Sequence, residues 1–425
     1  MLDLRRIREQ TDVVRRGLEA RRAKCDLDRI IVLDRERRDL VFRTDEMRNR
    51  RNEASRQFGE MKKQGLDTSQ LQAEVRSLGE QLKANDGRLR EIEQSLEQLL
   101  LLVPNLPHES VPVGESEQAN VEVRRWGAPP EFDFTLRPHW EIGERLGLLD
   151  FARGAKLSGS NFALFTGLGA RLERALISLM LDVHTREHGF VEMAPPCVTR
   201  RDSMIGTGQL PKMEEDAYRV EADDLFLIPT AEVQLVNLYR DETLGADQLP
   251  LRVTAHTPCF RREAGSYGKE VRGLIRVHQF DKVEMVSFCK PESSYDEIEQ
   301  LLHFAEAILQ RLGLHYRVVA LCTGELGFQA TKCYDIEAWA PGLGRFLEVS
   351  SVSNCEDFQA RRVNIRFRRE KTAKPEFVHT LNGSGVALPR TVIALLETYQ
   401  TSDGAVLIPE ALQPYVGCER LEVGG

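Results

Sequence analysis

Residues 257–286 have the sequence TPCFRREAGSYGKEVRGLIRVHQFDKVEMV. The pattern predicts a strand ending at Phe260-Arg261-Arg262-Glu263, then a loop containing Gly265, Gly268 and Gly273, and then a returning strand. Side chains alternate between the two faces of a strand. One face of the return would carry Arg276, His278, Phe280, Lys282 and Glu284, and the other Ile275, Val277, Val283 and Met285. The sequence therefore predicts a surface that combines cations, an aromatic ring and a carboxylate.

Such a surface suits an elongated ligand with a phosphate, a flat ring and an amine or hydroxyl end. One arginine guanidinium can bind two phosphate oxygens at the same time, and Phe280 can stack on a base. Glu284 would lie about 13 Å from Phe280, at ~3.4 Å per residue, where it can accept hydrogen bonds from the far end of the ligand. The alternative interpretation is a hairpin with an ordinary charged outer face.

The string FRREAGSYGKEVRGLIRVHQFDKVE, residues 260–284, resembles motif 2 of the class II aminoacyl-tRNA synthetases. Over its whole length it is similar to the motif of bacterial-type seryl-tRNA synthetases. The resemblance implies an α+β fold, with an antiparallel sheet flanked by helices and an N-terminal antiparallel two-helix coiled-coil arm. It also implies a reaction in which ATP activates L-serine to seryl-adenylate, and serine is transferred to tRNA(Ser), or to tRNA(Sec) where that is present.

Composition is compatible with this assignment. The 425 residues allow two or three domains, and 41% hydrophobic with 29% charged residues is typical of soluble globular proteins. No apolar run approaches the ~20 residues of a membrane span, and the charged N-terminus lacks the apolar segment of a signal peptide. Eight scattered cysteines without a CxxC pair predict reduced thiols, a cytoplasmic location and no structural zinc.

Charge is distributed unevenly along the chain. The formal net charge of -8 by itself argues against a nucleic-acid partner. Residues 1–100, however, contain 23 basic and 20 acidic side chains, against 35 and 46 in the remainder. A mildly basic N-terminal part on an acidic body is compatible with RNA binding by that part.

The N-terminal part contains two heptad patterns. Apolar positions recur every seven residues from Leu33 to Met61, and a second series runs from Leu71 to Val103 with one polar position, Asn85. A turn at 64–67 separates them, and Pro104 and Pro107 end the second helix. About 35 residues per helix give an arm of roughly 50–55 Å.

The first helix of this arm is rich in arginine. Eight arginines lie between Arg35 and Arg56. They indicate either the solvated surface of a coiled coil or an arm that binds an RNA backbone. The family resemblance favours the second interpretation, because seryl-tRNA synthetases bind the long variable arm of the tRNA with such an arm.

The predicted domains are a tRNA-binding domain at 1–103, a linker and domain edge at 104–138, and a catalytic domain at 139–425. A helix over 168–189 with an apolar face, then a short strand and Pro195-Pro196, resembles class II motif 1. That resemblance implies a homodimer with this segment at the interface. An amphipathic core helix would show the same pattern.

Further site residues follow from the resemblance. Thr230-Ala231-Glu232 ends a predicted strand and matches the loop whose carboxylate contacts the serine ammonium in the family. Residues 379–390 resemble motif 3, with Asn382 and Ser384 on a glycine-flanked turn and an apolar helix over 391–399. The implied serine-binding residues are Thr230, Ala231, Glu232, Arg261, Glu284, Asn382 and Ser384.

The resemblance also implies a nucleotide site. Residues 334–339 and 346–351 predict a hairpin, on which Glu348 and Ser351 would hold Mg²⁺ with the ATP phosphates. Arg390 would reach the γ-phosphate, and Pro389, where many relatives have glycine, suits a first helical turn. The catalytic residues are Arg261, Glu263 and Arg390. The ATP-binding residues are Arg261, Arg262, Glu263, Val277, Phe280, Glu348, Val349, Ser350, Ser351 and Arg390.

Two alternatives come from other functional classes. A ligase that loads serine or another small amino acid onto a carrier protein would lack the long arm that this chain keeps. A non-catalytic RNA-binding paralogue would be expected to have lost the arginines and glutamates of the motifs, yet Arg261, Glu263, Glu284 and Arg390 are all present. Both alternatives are therefore weaker than the synthetase interpretation.

Overall fold

The computed structural model describes residues 1–264 and 272–423. Gly265 and Gly268 of the predicted motif 2 loop lie outside the described residues. The chain divides into two compact units, one formed by Leu2–Glu19 and Ala23–Pro104, the other by Met1, Ala20–Arg22 and Asn105–Gly425. Within the described ranges, no helix is both long and apolar enough to cross a membrane. Each of the eight cysteines is a free thiol.

Four helices precede Pro104: α1 (Leu4–Glu9), α2 (Thr11–Ala20), α3 (Leu27–Lys63) and α4 (Ser69–Leu101). Ion pairs between α3 and α4 give their direction. Arg50 pairs with Glu74 at 2.6 Å, and Glu36 pairs with Arg88 at 2.7 Å. The earlier residue of α3 therefore contacts the later residue of α4, as in an antiparallel pair. The predicted antiparallel helix pair is confirmed.

The seam between α3 and α4 follows the predicted heptads. Its buried apolar side chains include Leu33, Ala54, Leu78, Leu82, Ile92 and Leu96. The one polar position, Asn85, donates its Nδ2 hydrogen to Oγ1 of Thr44 on the other helix, at 3.3 Å. At the predicted turn, the carboxylate of Asp67 accepts a hydrogen bond at 2.9 Å from the backbone nitrogen of Ser69, the first residue of α4, while the N-cap residue Thr68 makes no side-chain capping bond.

The arginines of α3 fall into two groups. Arg37, Arg38, Arg48 and Arg50 form ion pairs with carboxylates of α3 or α4. Arg35, Arg43, Arg51 and Arg56 form no ion pair among the residues that the structure describes. Four of the eight arginines from Arg35 to Arg56 therefore form ion pairs within the helix pair, and the other four, like Arg29 at the start of α3, form none among the described residues.

The larger unit is built on an antiparallel sheet. The remaining helices are α5 (His139–Arg145), α6 (Phe151–Ser158), α7 (Leu168–Arg186), α8 (Arg201–Thr207), α9 (Glu232–Val236), α10 (Ser294–Arg311), α11 (Phe358–Val363), α12 (Leu388–Thr398) and α13 (Gln413–Val416). The strands are β1 (Val121–Trp126), β2 (Val191–Glu192), β3 (Val198–Arg200), β4 (Arg219–Val220), β5 (Leu225–Leu227), β6 (Thr243–Gly245), β7 (Leu251–Phe260), β8 (Gln279–Cys289), β9 (Tyr316–Ala320), β10 (Lys332–Ala340), β11 (Arg345–Asn354), β12 (Arg366–Arg368), β13 (Glu376–Phe377), β14 (His379–Ala387), β15 (Val406–Leu407) and β16 (Arg420–Leu421).

The main sheet has eight strands in the order β1-β9-β10-β11-β14-β8-β7-β2. Every neighbouring pair is antiparallel except β2 with β7. Helices α7, α10 and α12 pack on this sheet and form the main hydrophobic core with it. The predicted α+β fold is therefore confirmed. Strand β1, from the segment predicted as a linker and domain edge, forms one edge of the sheet.

Helix α7 forms as the apolar spacing predicts. Leu172, Leu176, Leu179 and Val183 are all buried in the core. The chain leaves the helix through Gly189, whose φ of 76° lies in the left-handed region that favours glycine. Strand β2 then pairs with β7 at the opposite edge of the sheet from β1.

The predicted boundaries of the motif 2 strands need correction. Strand β7 ends at Phe260 instead of Glu263, and β8 begins at Gln279, so the alternation predicted from Ile275 starts later. The backbone nitrogen of Leu274 donates to Nε2 of His139 at 3.1 Å, and that of His278 to the carbonyl of Asn161 at 2.9 Å. Because these groups bond to other segments, residues 274–278 form turns before the ladder begins.

Motif 3 differs from the prediction in a similar way. Asn382 and Ser384 lie within the continuous strand β14 instead of on a turn, because β14 pairs along most of its length with β8 and, in its first half, with β11. Helix α12 starts at Leu388, three residues earlier than predicted, and Pro389 lies in its first turn as expected. Gly385 allows close packing here, since an added Cβ would lie 2.5 Å from Nε2 of His184.

A buried polar cluster connects the segments around the site. Nδ1 of His139 lies 2.9 Å from Oε1 of Glu397 on α12, and both side chains are fully buried. The other carboxylate oxygen accepts a hydrogen bond from the backbone nitrogen of Leu343, in the turn between β10 and β11, at 3.2 Å. Together with the bond from Leu274 to His139, this cluster links motif 3, the β10–β11 turn and the return of motif 2.

Candidate active site

Two buried carboxylates form the centre of the candidate site. Glu232 begins α9 directly after the strand β5 and its following loop, and Glu284 lies in the middle of β8. Only 5% of Glu232 and 2% of Glu284 is exposed. Buried carboxylates need compensating donors or cations, since their desolvation is costly.

The compensation at Glu284 comes from its own strand and from the loop before α9. Nζ of Lys282 lies 2.5 Å from Oε2 of Glu284, as expected for side chains two positions apart on one face of a strand. Oγ1 of Thr230 donates to the same oxygen at 3.3 Å. Lys282 and Glu284 therefore lie on the same face of β8, as predicted, and both side chains are buried.

Glu232 is held by two amides. Nδ2 of Asn382 donates to Oε1 of Glu232 at 2.9 Å, and Nε2 of Gln359 donates to the same oxygen at 2.7 Å. Burial, and next the negative charge of Glu284, raise the pKa of Glu232 from 4.5 to about 7. The site thus contains one carboxylate that is close to its protonation equilibrium at neutral pH.

Strand β14 completes this cluster. Asn382 and Ser384 are two residues apart, so they share one face, and Ser384 is directly opposite Glu284 in the ladder with β8. Ser350 Oγ, on β11, donates to the carbonyl of Ser384 at 2.6 Å. Ala231 is completely buried between Thr230 and Glu232. The structure therefore brings Thr230, Glu232, Glu284, Asn382 and Ser384 together.

Arg261 lies between this cluster and an aromatic ring. Its guanidinium carbon is 5.2 Å from the ring centroid of Phe280, and its Nε donates to the carbonyl of Pro229 at 3.3 Å. The positive charge of Arg261 also acts on the Glu232 carboxylate, whose pKa it lowers slightly. One arginine therefore faces both the carboxylate cluster and the predicted base-stacking ring.

The other predicted residues of motif 2 lie next to Arg261. Glu263 has a φ of 52°, and its carboxylate accepts a hydrogen bond from Arg276 at 2.6 Å. Arg262 is exposed and donates to the carbonyl of Glu215 at 3.3 Å. Val277 is buried in the turns before β8. Arg276 thus pairs with Glu263 instead of lying on the face of β8.

Arg390 and Glu348 are adjacent at the far end of the site. Arg390 donates to the backbone carbonyl of Glu348 at 2.9 Å and lies 3.3 Å from its carboxylate. Ser351 follows on the same strand, with Oγ 3.2 Å from Sγ of Cys333, while Val349 and Ser350 are almost completely buried. Burial, and then the charge of Glu348, raise the pKa of Asp335, which is opposite Ser351 on β10, well above its usual range.

Hard oxygen donors are therefore concentrated here. Glu348 and Ser351 offer a carboxylate and a hydroxyl, and the negative charge of Glu348 adds to burial in disfavouring ionisation of Asp335. These are the ligands and the potential that suit Mg²⁺. Within residues 1–264 and 272–423, no group of three or more His, Cys, Asp or Glu side chains is arranged to hold a metal ion.

Three residues near the site are absent from the set that the sequence predicts. Lys282 is predicted on the same face as Glu284, so its ion pair could have been inferred from the period of two. Asp335 lies in a predicted strand, opposite a predicted metal ligand. Gln359 lies in the short helix α11, outside every motif, and no sequence signal connects it to Glu232.

The sheet, with motif 2 on β7 and β8 and motif 3 on β14 and α12, defines a class II aminoacyl-tRNA synthetase. The family model of the class II core domain for G, H, P, S and T synthetases matches residues 216–399, and that of the seryl-tRNA synthetase N-terminal domain matches residues 1–107. Serine–tRNA ligases of Geobacillus thermodenitrificans and Carboxydothermus hydrogenoformans are 58% and 54% identical to this chain. The alignments cover 98% and 99% of this chain and 99% of each relative.

Solved structures agree with the sequence comparison. The seryl-tRNA synthetase of Pyrococcus horikoshii complexed with ATP has a TM-score of 0.95 at 38% identity, with both chains covered completely. The cytoplasmic serine–tRNA ligase of Naegleria fowleri in complex with AMP has a TM-score of 0.90 at 28% identity, covering 100% of this chain and 99% of that one. This chain belongs to the seryl-tRNA synthetase family, and it is an ATP-dependent ligase of that family.

The raised pKa of Glu232 predicts how pH affects stability. Since this pKa is about 7 in the folded chain against the ordinary value of 4.5, the folded state holds the proton more tightly, and wild-type stability decreases as pH rises between these values. Glu232→Gln keeps an acceptor for Asn382 and Gln359 and removes the charge. We expect it to raise the free energy of unfolding by about 3 kcal/mol at pH 8 and not at pH 4.5, as measured by denaturant unfolding.

Glu131→Gln at an exposed position serves as the control and should show no such pH-dependent gain. Equal stability of Glu232→Gln and wild type at pH 8 would contradict this electrostatic description of the pocket.

Proposed function

We propose that this site joins L-serine and ATP to form seryl-adenylate and then transfers the seryl group to the terminal ribose of tRNA(Ser), and of tRNA(Sec) where it is present. The observation that carries the proposal is the buried cluster of Glu232, Glu284, Asn382 and Ser384 beside Arg261. Its polarity suits a small amino acid with a hydroxyl group.

Within this cluster, the ammonium group of serine would meet Glu232, because a buried carboxylate needs a cation. The serine hydroxyl would donate to Glu284, whose carboxylate Thr230 and Lys282 hold in place. A pocket built to hydrogen-bond a hydroxyl discriminates strongly against substrates that lack one, since its buried polar groups would then stay unpaired. Alanine and glycine should therefore be poor substrates, and a larger side chain should not fit.

In the activation step, the serine carboxylate attacks the α-phosphorus of ATP in line, and pyrophosphate leaves. Arg261 would bind the α-phosphate and the serine carboxylate, and Phe280 with the main chain of Val277 would hold the adenine. Glu263 would contact the adenine end, near Arg262, and Arg390 would bind the γ-phosphate. No covalent enzyme intermediate is needed, because positioning and charge stabilisation supply the catalysis.

We assign Mg²⁺ to Glu348 and Ser351, with residues 348–351 along the nucleotide. The metal would neutralise charge on the ATP phosphates when it is bound. Arg390, close to Glu348, would act on the same phosphates, so that the cation and the arginine share the developing negative charge. We propose no zinc site.

The arm formed by α3 and α4 would bind tRNA along its backbone. Arg35, Arg43, Arg51 and Arg56 on α3, which form no ion pair among the described residues, support this assignment. We further propose a cytoplasmic homodimer in which the β2 edge of the sheet meets its counterpart. The exposed side chain of Val191 on this edge strand supports such an interface, since exposed edge strands are usually covered.

The activation step can be tested by ATP–pyrophosphate exchange with purified protein, Mg²⁺ and one amino acid at a time. We expect exchange with serine and not with threonine, alanine or glycine, and loss of this exchange in Glu284→Ala, which removes the acceptor for the serine hydroxyl. Exchange with none of the amino acids would favour a non-catalytic RNA-binding paralogue. Exchange without aminoacylation of any tRNA would favour a ligase that acts on a carrier protein.

The role of the arm can be tested with a quadruple variant, Arg35→Gln, Arg43→Gln, Arg51→Gln and Arg56→Gln. We expect kcat/KM for tRNA serylation to fall, and the slope of log affinity against log salt concentration to decrease by about 0.9 for each lost phosphate contact. Serine-dependent pyrophosphate exchange should stay at the wild-type level. Undiminished serylation in the quadruple variant would contradict this role and indicate that these arginines only form the solvated surface of the coiled coil.

A further inference from the structure

Gln359 occupies a position behind the carboxylate of Glu232 that no solvent reaches. Its side chain, on α11, is completely buried. Nε2 donates one hydrogen bond to Oε1 of Glu232 at 2.7 Å and another to the carbonyl of Thr207 at 3.2 Å. Both amide hydrogens are therefore used, and one of them is directed at the central carboxylate of the site.

Thr380 fixes the orientation of this amide. Its Oγ1, also completely buried, donates to Oε1 of Gln359 at 2.8 Å. The carbonyl of Thr207 can only accept, so the NH₂ group must face Thr207 and Glu232, and the hydroxyl of Thr380 supplies the donor for the remaining oxygen. Thr380 precedes Asn382 by two residues on β14. Motif 3 therefore supports Glu232 directly through the hydrogen bond from Asn382, and indirectly through Thr380, which holds Gln359.

Several charged groups surround Glu232. Glu284 on β8 disfavours its ionised form, while Lys282 on β8 and Arg261 after β7 favour it, and the buried thiol of Cys355 at the end of β11 also lies near. The hydrogen bond from Gln359 lowers the pKa of Glu232 against the larger effect of burial. Gln359 thus stabilises the ionised carboxylate with a neutral donor. A cation in its place would compete with the substrate ammonium for Glu232.

We propose that Gln359 is a positioning residue of the serine pocket, which keeps the Glu232 carboxylate charged and aimed at the substrate ammonium, with Thr380 holding the amide in place. The inference rests on the proposed role of Glu232 in binding serine. Neither Gln359 nor Thr380 would touch the substrate, since both are completely buried and their polar side-chain atoms already hydrogen-bond within the protein. Their effect would be on the affinity for serine and on its pH dependence.

The chain contains a matched control. Gln234 on α9, which is partly buried, makes a comparable set of hydrogen bonds, because its Nε2 donates to the carbonyls of Pro196 and Val198 at 2.7 and 3.0 Å, and Thr199 donates to its Oε1 at 3.0 Å. No carboxylate takes part in this arrangement. A Gln→Leu substitution removes the same kinds of hydrogen bond at both positions, and only at Gln359 does it remove one from a carboxylate.

The test measures KM for serine and for ATP by pyrophosphate exchange between pH 6 and 8.5. For Gln359→Leu we expect KM for serine to rise about tenfold or more at pH 7, with KM for ATP within about twofold of wild type, because a hydrogen bond to a charged group is lost. The pH at which serine binding reaches half its maximum should increase by about one unit, so the defect becomes smaller at pH 8.5. Gln234→Leu should keep the wild-type pH profile.

Thr380 provides a second, milder pair of variants. Thr380→Val should shift the serine profile in the same direction by a smaller amount, and Thr380→Ser, which keeps the hydroxyl, should restore it. A rise in KM for serine that is equal at every pH, or a parallel rise for ATP, would show a merely structural role and overturn the proposal. A wild-type serine profile in both Gln359→Leu and Thr380→Val would overturn it as well.

Failure of the inference is distinguishable from failure of the proposed function. If wild type shows no serine-dependent exchange, the function itself is wrong. If wild type is active and Glu232→Ala loses serine binding, while Gln359→Leu and Thr380→Val keep the wild-type profile, only the role of Gln359 is wrong.

Discussion

The burial of two carboxylates next to each other is the constraint on which the rest of the site depends. Glu232 and Glu284 are both nearly inaccessible to solvent, and burial together with the negative charge of Glu284 raises the cost of ionising Glu232. Without compensating donors and cations, Glu232 would be protonated and could not attract a cation. The surrounding protein therefore has to supply donors and positive charge, and it does so from four separate segments of the chain.

The sheet places these donors. Strand β8 supplies Lys282, β14 supplies Asn382, the loop before α9 supplies Thr230, and α11 supplies Gln359. Lys282 forms an ion pair with Glu284 at 2.5 Å, whereas Glu232 accepts hydrogen bonds from the neutral amides of Gln359 and Asn382, and Lys282 and Arg261 act on it only through their charge. This asymmetry leaves Glu232 as the carboxylate with unused attraction for a cation, which suits it to a substrate ammonium.

Much of this architecture was predictable from the sequence, because it depends on local periodicity and on motif spacing. The heptads of the arm and the apolar face of α7 both depend on neighbours in the chain. The strand predicted to end at Thr230-Ala231-Glu232 instead ends at Leu227, and Glu232 begins α9. The residue assignments from the family resemblance placed Glu232, Glu284, Asn382 and Ser384 in one site, and the structure brings these four together.

The parts that were wrong or missed depend on contacts between distant segments. The sequence predicts strand from Ile275, but His139, more than a hundred residues earlier in the chain, accepts a hydrogen bond from the backbone nitrogen of the preceding residue, Leu274. The turn predicted for motif 3 is a strand because β8 and β11 pair with it on either side. Gln359 reaches Glu232 across 127 positions, and no local pattern encodes that contact.

The central claim is that an ionised Glu232 receives the serine ammonium. Calorimetric titration of the protein with L-serine at pH 6, in two buffers of different ionisation enthalpy, tests it most directly. Because the pKa of Glu232 is about 7 before binding, serine should displace its proton, and about one proton should be released per site. Glu232→Gln should release none. Binding of serine to wild type without proton release, or equal release by wild type and Glu232→Gln, would contradict this role of Glu232.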